Sequence, residues 1–224
     1  MNFKFFTLIC VLVLSHGCAY YVPATISPAV IIHSFYKDKI PGTVILAIDD
    51  NVKNASPDVK GTGYFCRWYK FPVTLDSSFT QSVKITNDAI FEKVVEQDNL
   101  STQDPFLQMG GKGIIYVKLQ RFNPNISFSQ GLWSVHANAS CDIVLDVTVK
   151  DANYKDLFTT TVEGSRSVDG DGGAFCGNGA NLLSEAISLA MREAMERYGE
   201  RLSNSEKIRT SFKQITIIER QIEK

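Results

Sequence analysis

One stretch of this chain alternates hydrophobic and polar positions more strictly than any other. Trp133, Val135, Ala137, Ala139, Cys141, Ile143, Leu145, Val147 and Val149 take every second position. Ser134, His136, Asn138, Ser140, Asp142, Asp146 and Thr148 fill most places between them, and Val144 alone breaks the pattern. A period of two sends one set of side chains to a core and the other to water, as in a long antiparallel strand covered on one side. Residues 150–155 turn the chain, and 157–164 return as the hairpin partner. Upstream, 113–122 reads as a strand closed by a turn at Phe122-Asn123-Pro124-Asn125. Residues 43–48 form a β-branched strand ending in Asp49-Asp50-Asn51, and the aromatic-rich 63–73 holds a strand around 64–71.

The period changes twice. Phe79, Val83, Ile90 and Val94 fall on one helical face within 76–97. Leu183, Ile187, Ala190, Ala194, Tyr198 and Leu202 make a second stripe over 181–202, with Glu185, Arg192, Glu193, Glu196 and Arg197 mostly outside it. Between these elements, 98–112 reads as loop and 170–179 as a glycine-rich connector. The tail, 205–224, is open at this level: Ile215-Thr216-Ile217-Ile218 suits an added strand or part of a charged helix. The expected architecture is α+β, an antiparallel β-sheet covered on one face by two amphipathic helices in a two-layer sandwich.

The first residues carry a different message. Lys4 precedes an apolar run over 5–14, and Ser15-His16-Gly17-Cys18-Ala19 follows. Residues 1–17 have the layout of a secretory signal, and the run is too short to span a bilayer. Cys18 directly after Gly17 matches the cut of a bacterial lipoprotein, where the cysteine sulfur takes a diacylglycerol and the new amino group an acyl chain. Ser15 and His16 depart from the usual lipobox. Ordinary cleavage after Gly17 or Ala19, releasing a soluble secreted product, is the alternative. Ala19, where an Asp would retain the product at the inner membrane, directs it to the outer membrane, periplasmic face. Residues 18–41, with Pro23, Pro28 and Pro41, read as lipid anchor and tether, with 29–35 as a possible edge strand. Residues 42–204 follow as the α+β domain and 205–224 as the C-terminal tail.

Composition narrows the classes. Charged residues make up 21% of the chain and the net charge is -1, which argues against a nucleic-acid partner. With Cys10 leaving in the signal, Cys18 as anchor and Cys141 in phase with the apolar face, Cys66 and Cys176 remain as the candidate disulfide. No CxxC or Cys/His pair stands at zinc spacing. The mature part has two histidines, His33 and His136, and no Gly-x-Ser-x-Gly elbow. Asp49-Asp50 is good turn chemistry. Asp169-Gly-Asp171-Gly-Gly starts like a calcium loop, but Phe175 and Cys176 stand where ligands should continue. Gly177-Asn178-Gly179 resembles an anion-binding turn but lacks the third glycine, Leu182 standing there, so a helix cap by Asn178 or Asn181 is the plainer reading. No catalytic residue, metal or cofactor is expected.

The order of elements, from Gly17-Cys18 through the short acidic-ended strand, helix, long alternating strand, hairpin partner and terminal amphipathic helix, resembles the YajG-type bacterial lipoproteins over 43–202. More distantly it resembles the periplasmic auxiliary lipoproteins of envelope transport systems. The resemblance implies an outer-membrane lipoprotein that is not an enzyme and binds a protein partner or lipid through its periplasmic domain. The alternative is a soluble secreted protein cut by ordinary signal peptidase, with acceptor tripeptides at Asn54, Asn99, Asn125 and Asn138 as candidate glycosylation sites.

Overall fold

The computed structural model describes residues 20–21, 23–28, 38–53, 55–64, 66–97, 111–131, 134–173 and 176–222. In chain order these form β1 (Tyr20–Tyr21), β2 (Ile40–Ile48), α1 (Asp50–Lys53), β3 (Asp58–Lys60), β4 (Tyr69–Pro72), α2 (Asp76–Ile90) and β5 (Phe91–Glu96). The long strands β6 (Gly111–Gln130), β7 (Val135–Asp151) and β8 (Asp156–Asp171) follow, then α3 (Gly179–Ser203) and α4 (Glu206–Ile222). A five-stranded sheet has the order β5-β2-β6-β7-β8, and a small sheet the order β1-β4-β3.

The class is α+β, but the main sheet is mixed rather than antiparallel. β2 runs parallel to both β5 and β6, and only β6, β7 and β8 are antiparallel. Alternation says which face a residue takes, not which way its neighbour runs. Direction comes from the connection: α2 lies between β2 and β5 and allows the chain to return in the same sense. This also corrects the helix expected over 76–97. Phe79, Val83 and Ile90 are buried on α2, whereas Val94 sits in β5 opposite Val44. The strand expected over 64–71 shrinks to β4, preceded by a turn.

The turn expected at Phe122-Asn123-Pro124-Asn125 is the middle of β6. Val117 and Leu119 are buried at odd positions, while Ile126 and Phe128 are buried at even ones. An irregularity in pairing between Leu119 and Arg121, which oppose Leu145 and Val144, absorbs the extra residue and keeps both halves on one face. Pro124 is tolerated for a directional reason. Phe128 N–H donates to Thr62 (2.8 Å) and the Ile126 carbonyl accepts from Thr62 N–H (3.0 Å), so even positions aim their backbone away from β7. At Pro124 the missing N–H therefore falls on the side away from the β7 ladder.

The apolar face of β7 packs against α3, whose buried stripe includes Leu183, Ile187, Ala190, Ala194, Tyr198 and Leu202. At Gly164 the helix backbone itself meets β8: a Cβ there would lie 2.0 Å from the Ala190 carbonyl oxygen. A buried hydrogen bond from Tyr198 Oη to Asn87 Oδ1 (2.8 Å) ties α3 to α2. α4 resolves the open reading of the tail, because 206–222 is helical. Ile208 and Phe212 are fully buried, with the Phe212 ring 5.9 Å from that of Phe91.

The segment expected to be a tether is fastened in several places. Tyr20 and Tyr21 pair with Tyr69 and Lys70, Ala24 bridges to Val73, and Ser78 Oγ donates to the Ile26 carbonyl (2.6 Å). The strand expected over 29–35 lies outside the described residues.

Candidate functional site

The polar half of the alternation builds the other face of the long ribbon. Ser165 Oγ donates to Asp142 (2.5 Å), Thr161 Oγ1 to Asp146 (2.6 Å), and Gln120 Nε2 to the second oxygen of Asp146 (2.5 Å). Arg121 pairs with Glu163 at 3.2 Å. Further along, Asn138 Nδ2 donates to Ser167 (3.1 Å) and Asp169 (2.7 Å), and His136 Nε2 lies 3.5 Å from Asp169. These cross-strand pairs hold an extended polar surface in register.

A cleft of about 760 Å³ opens where this face meets the end of β2, with Asp49, Tyr116, Lys118, Asp146, Lys150 and Asp156 among its lining. Lys150 Nζ lies 3.1 Å from Asp156 and 5.7 Å from the centre of the Tyr116 ring. Asp49 accepts from the backbone and side-chain nitrogens of Asn51 (3.1 and 3.0 Å), which accounts for it as turn chemistry. The Lys118 side chain is exposed and makes no hydrogen bond or ion pair among the described residues. Both signs of charge beside an aromatic ring suit the binding of a polar group. General-base chemistry would need more: His136 is ten residues along β7 from Asp146, ~34 Å away at strand rise.

The structure joins Cys66 and Cys176, with Cα atoms 6.1 Å apart across 110 residues of sequence. Cys141 is a free, buried thiol, its pKa pushed up to about 12 by burial and then by the neighbouring Asp142 charge. Asp169 and Asp171 end β8, where Asp171 accepts from Gly173 N–H (2.9 Å). Among the described residues, no three His, Cys, Asp or Glu side chains converge as a metal site. The expected side-chain cap of α3 is corrected: Asn178 Nδ2 donates to the Asp171 carbonyl (2.7 Å) and its Oδ1 accepts from Asn181 Nδ2 (3.0 Å), so neither amide caps a backbone N–H. Cys18, Cys10 and His33 lie outside the described residues, as do Asn54 and Asn99. Of the remaining acceptor tripeptides, Asn125 is exposed, whereas the Asn138 amide is engaged in the ladder.

Two features were not singled out from sequence. The cleft draws on β2, β6, β7 and β8, and its only linear trace is the polar phase of two strands. The second is the turn between β3 and β4, where Tyr64 is 80% exposed and Trp68 64% exposed. Aromatics without alternation were its signal. No helix among the described residues is long and apolar enough to cross a membrane.

No family model and no curated protein matches the chain. Among solved structures, it is similar to a Xanthomonas campestris protein of the DUF330 family at 9% identity, TM-score 0.39, covering 81% of this chain and 99% of that one. A minor lipoprotein from Acinetobacter baumannii matches at 8% identity, TM-score 0.39, over 72% and 90% of the two chains. A hypothetical protein from Chlamydia trachomatis matches at 10% identity, TM-score 0.36, over 73% and 100%. Likeness at these scores is one of general layout and assigns no role.

Proposed function

We propose that the protein is a lipoprotein of the bacterial envelope, acylated at Cys18 and held on the periplasmic face of the outer membrane. It catalyses no reaction and binds a protein partner or lipid through its α+β domain. The observation that carries this is the apolar run over 5–14 followed by Gly17-Cys18, only two residues before the described strand β1. In this reading the helices form one layer, the main sheet the second, and the polar sheet face with its cleft is left for docking. Each buried methylene of an acyl chain adds about 0.8 kcal/mol of membrane affinity, so several chains retain the protein without a membrane-crossing helix.

Intact mass of the chain from a membrane fraction tests the anchor. The expected species begins at Cys18 with added acyl mass, and the Cys18→Ser chain lacks both the mass and the membrane retention. A soluble chain beginning at Cys18 or Tyr20 without acyl mass overturns the reading in favour of a secreted protein.

A further inference from the structure

We infer that the turn bearing Tyr64 and Trp68 docks onto the phospholipid surface of the same membrane that holds the acylated Cys18, an inference that rests on the lipid-anchor reading above. Its first support is position. β1 runs parallel to β4 with Tyr20 opposite Tyr69, so Tyr20, two residues from Cys18 in sequence, sits one position in register from the turn that ends at Trp68. Adjacent strands lie about 4.8 Å apart and successive Cα atoms 3.8 Å apart, so the Cα of Cys18 is within about 16 Å of that of Trp68. A thioether-linked diacylglycerol seats its cysteine at the glycerol level of the bilayer. The turn therefore has little slack by which to stand clear.

The second support is chemistry. Tyr64 and Trp68 are the large hydrophobic side chains most exposed to water among the described residues. Tryptophan and tyrosine prefer the headgroup boundary, where one end of the ring meets acyl chains and the polar end stays wet. The Arg67 guanidinium lies 4.6 Å from the centre of the Trp68 ring. Lys60 and Lys70 stand directly opposite each other on β3 and β4, with Asp58 beside them 3.9 Å from Lys70. Cations beside exposed aromatics complement lipid phosphates.

The third support is rigidity. Cys66, inside the turn, is bonded to Cys176 ahead of α3. Thr62 is pinned to β6 by its two backbone hydrogen bonds, and Gly63 takes φ +113° where a Cβ would strike the Phe128 carbonyl oxygen. A surface already ordered loses little conformational entropy on docking. Among the described residues, no large hydrophobic side chain on the polar face of β6–β8, Tyr116 included, is as exposed.

The test uses the full chain with Trp133→Phe, leaving Trp68 as the sole tryptophan, reconstituted in phosphatidylethanolamine–phosphatidylglycerol vesicles doped with brominated phosphatidylcholine. Intact mass on the same sample reports acylation. Acyl mass together with a blue-shifted Trp68 emission, quenched by the bromines and shielded from acrylamide, is the expected result. Acyl mass with Trp68 still open to acrylamide and insensitive to bromine overturns the docking and leaves the anchor standing. Lack of acyl mass overturns both. Should Trp133→Phe fail to fold, hydrogen exchange on the unaltered chain decides: residues 62–70 exchange more slowly on vesicles than in the soluble Cys18→Ser chain, and equal rates overturn the inference.

Discussion

At Gly164 a helix backbone rests on a strand backbone with no side chain between them. A methyl group there would sit 2.0 Å from the Ala190 carbonyl oxygen and 2.7 Å from the Ala194 nitrogen, so Gly164→Ala must push α3 off β8. Overpacking of this kind costs roughly 1–3 kcal/mol, and a urea unfolding curve reads it as a lowered midpoint. Cys141 makes a prediction in pH. Its folded pKa, about 12, lies above the ordinary 9.0, so the folded thiol holds its proton where the unfolded one has released it. The contribution is fully present below pH 9 and is lost as pH rises towards 12. The loss is on the order of 4 kcal/mol, read as the difference between the native chain and Cys141→Val in alkaline melts. The burial of Cys141 was legible from its phase in the alternation. The role of Gly164 was not, because nothing local marks the place where a distant helix lands.

Among the elements, β8 shows how a free sheet edge is managed. Arg197 donates to the Glu163 carbonyl (2.7 Å), Arg201 to the Thr161 carbonyl (2.9 Å), and Ser165 N–H donates to Glu193 (3.1 Å). Side chains of α3 thus occupy edge groups that would otherwise template another strand. The double variant Arg197→Ala, Arg201→Ala is expected to keep its circular dichroism and to self-associate, visible as a concentration-dependent mass in light scattering. The disulfide acts between elements too, tying the β3–β4 turn to the approach of α3. In the chain-entropy account, closing a loop of this length stabilises the fold by about 4–5 kcal/mol, so reduction should lower the denaturation midpoint accordingly. Candidate partners Cys66 and Cys176 came from counting cysteines. The edge caps are not legible in the sequence, because charged residues on a helix read as a solvated face.

At the scale of the molecule, the C-terminal helix belongs to the main core. Phe212 packs on Phe91 and over Gly113, where an added Cβ would meet its ring at 2.8 Å. Phe212→Ala is expected to cost about 3–5 kcal/mol and to lower one cooperative transition, not to melt the tail by itself. Separate transitions for the tail and the sheet in calorimetry would contradict this. The N-terminal segment is also sewn to the body, through Ile26 and Ser78.

Periodicity alone determined that β7 has one wet and one buried face, that α3 carries an apolar stripe, and that Cys141 is interior. Each follows from side-chain geometry repeated along a single element, which the order of residues records directly. Tertiary structure decided the parallel pairing of β2, the passage of β6 through Pro124, the joining of Cys66 to Cys176 and the cleft around Lys118. Those depend on connection direction, on which backbone edge is left unpaired, and on contacts between residues far apart in sequence. A local pattern specifies faces; partners across the fold are chosen only when those faces are buried together.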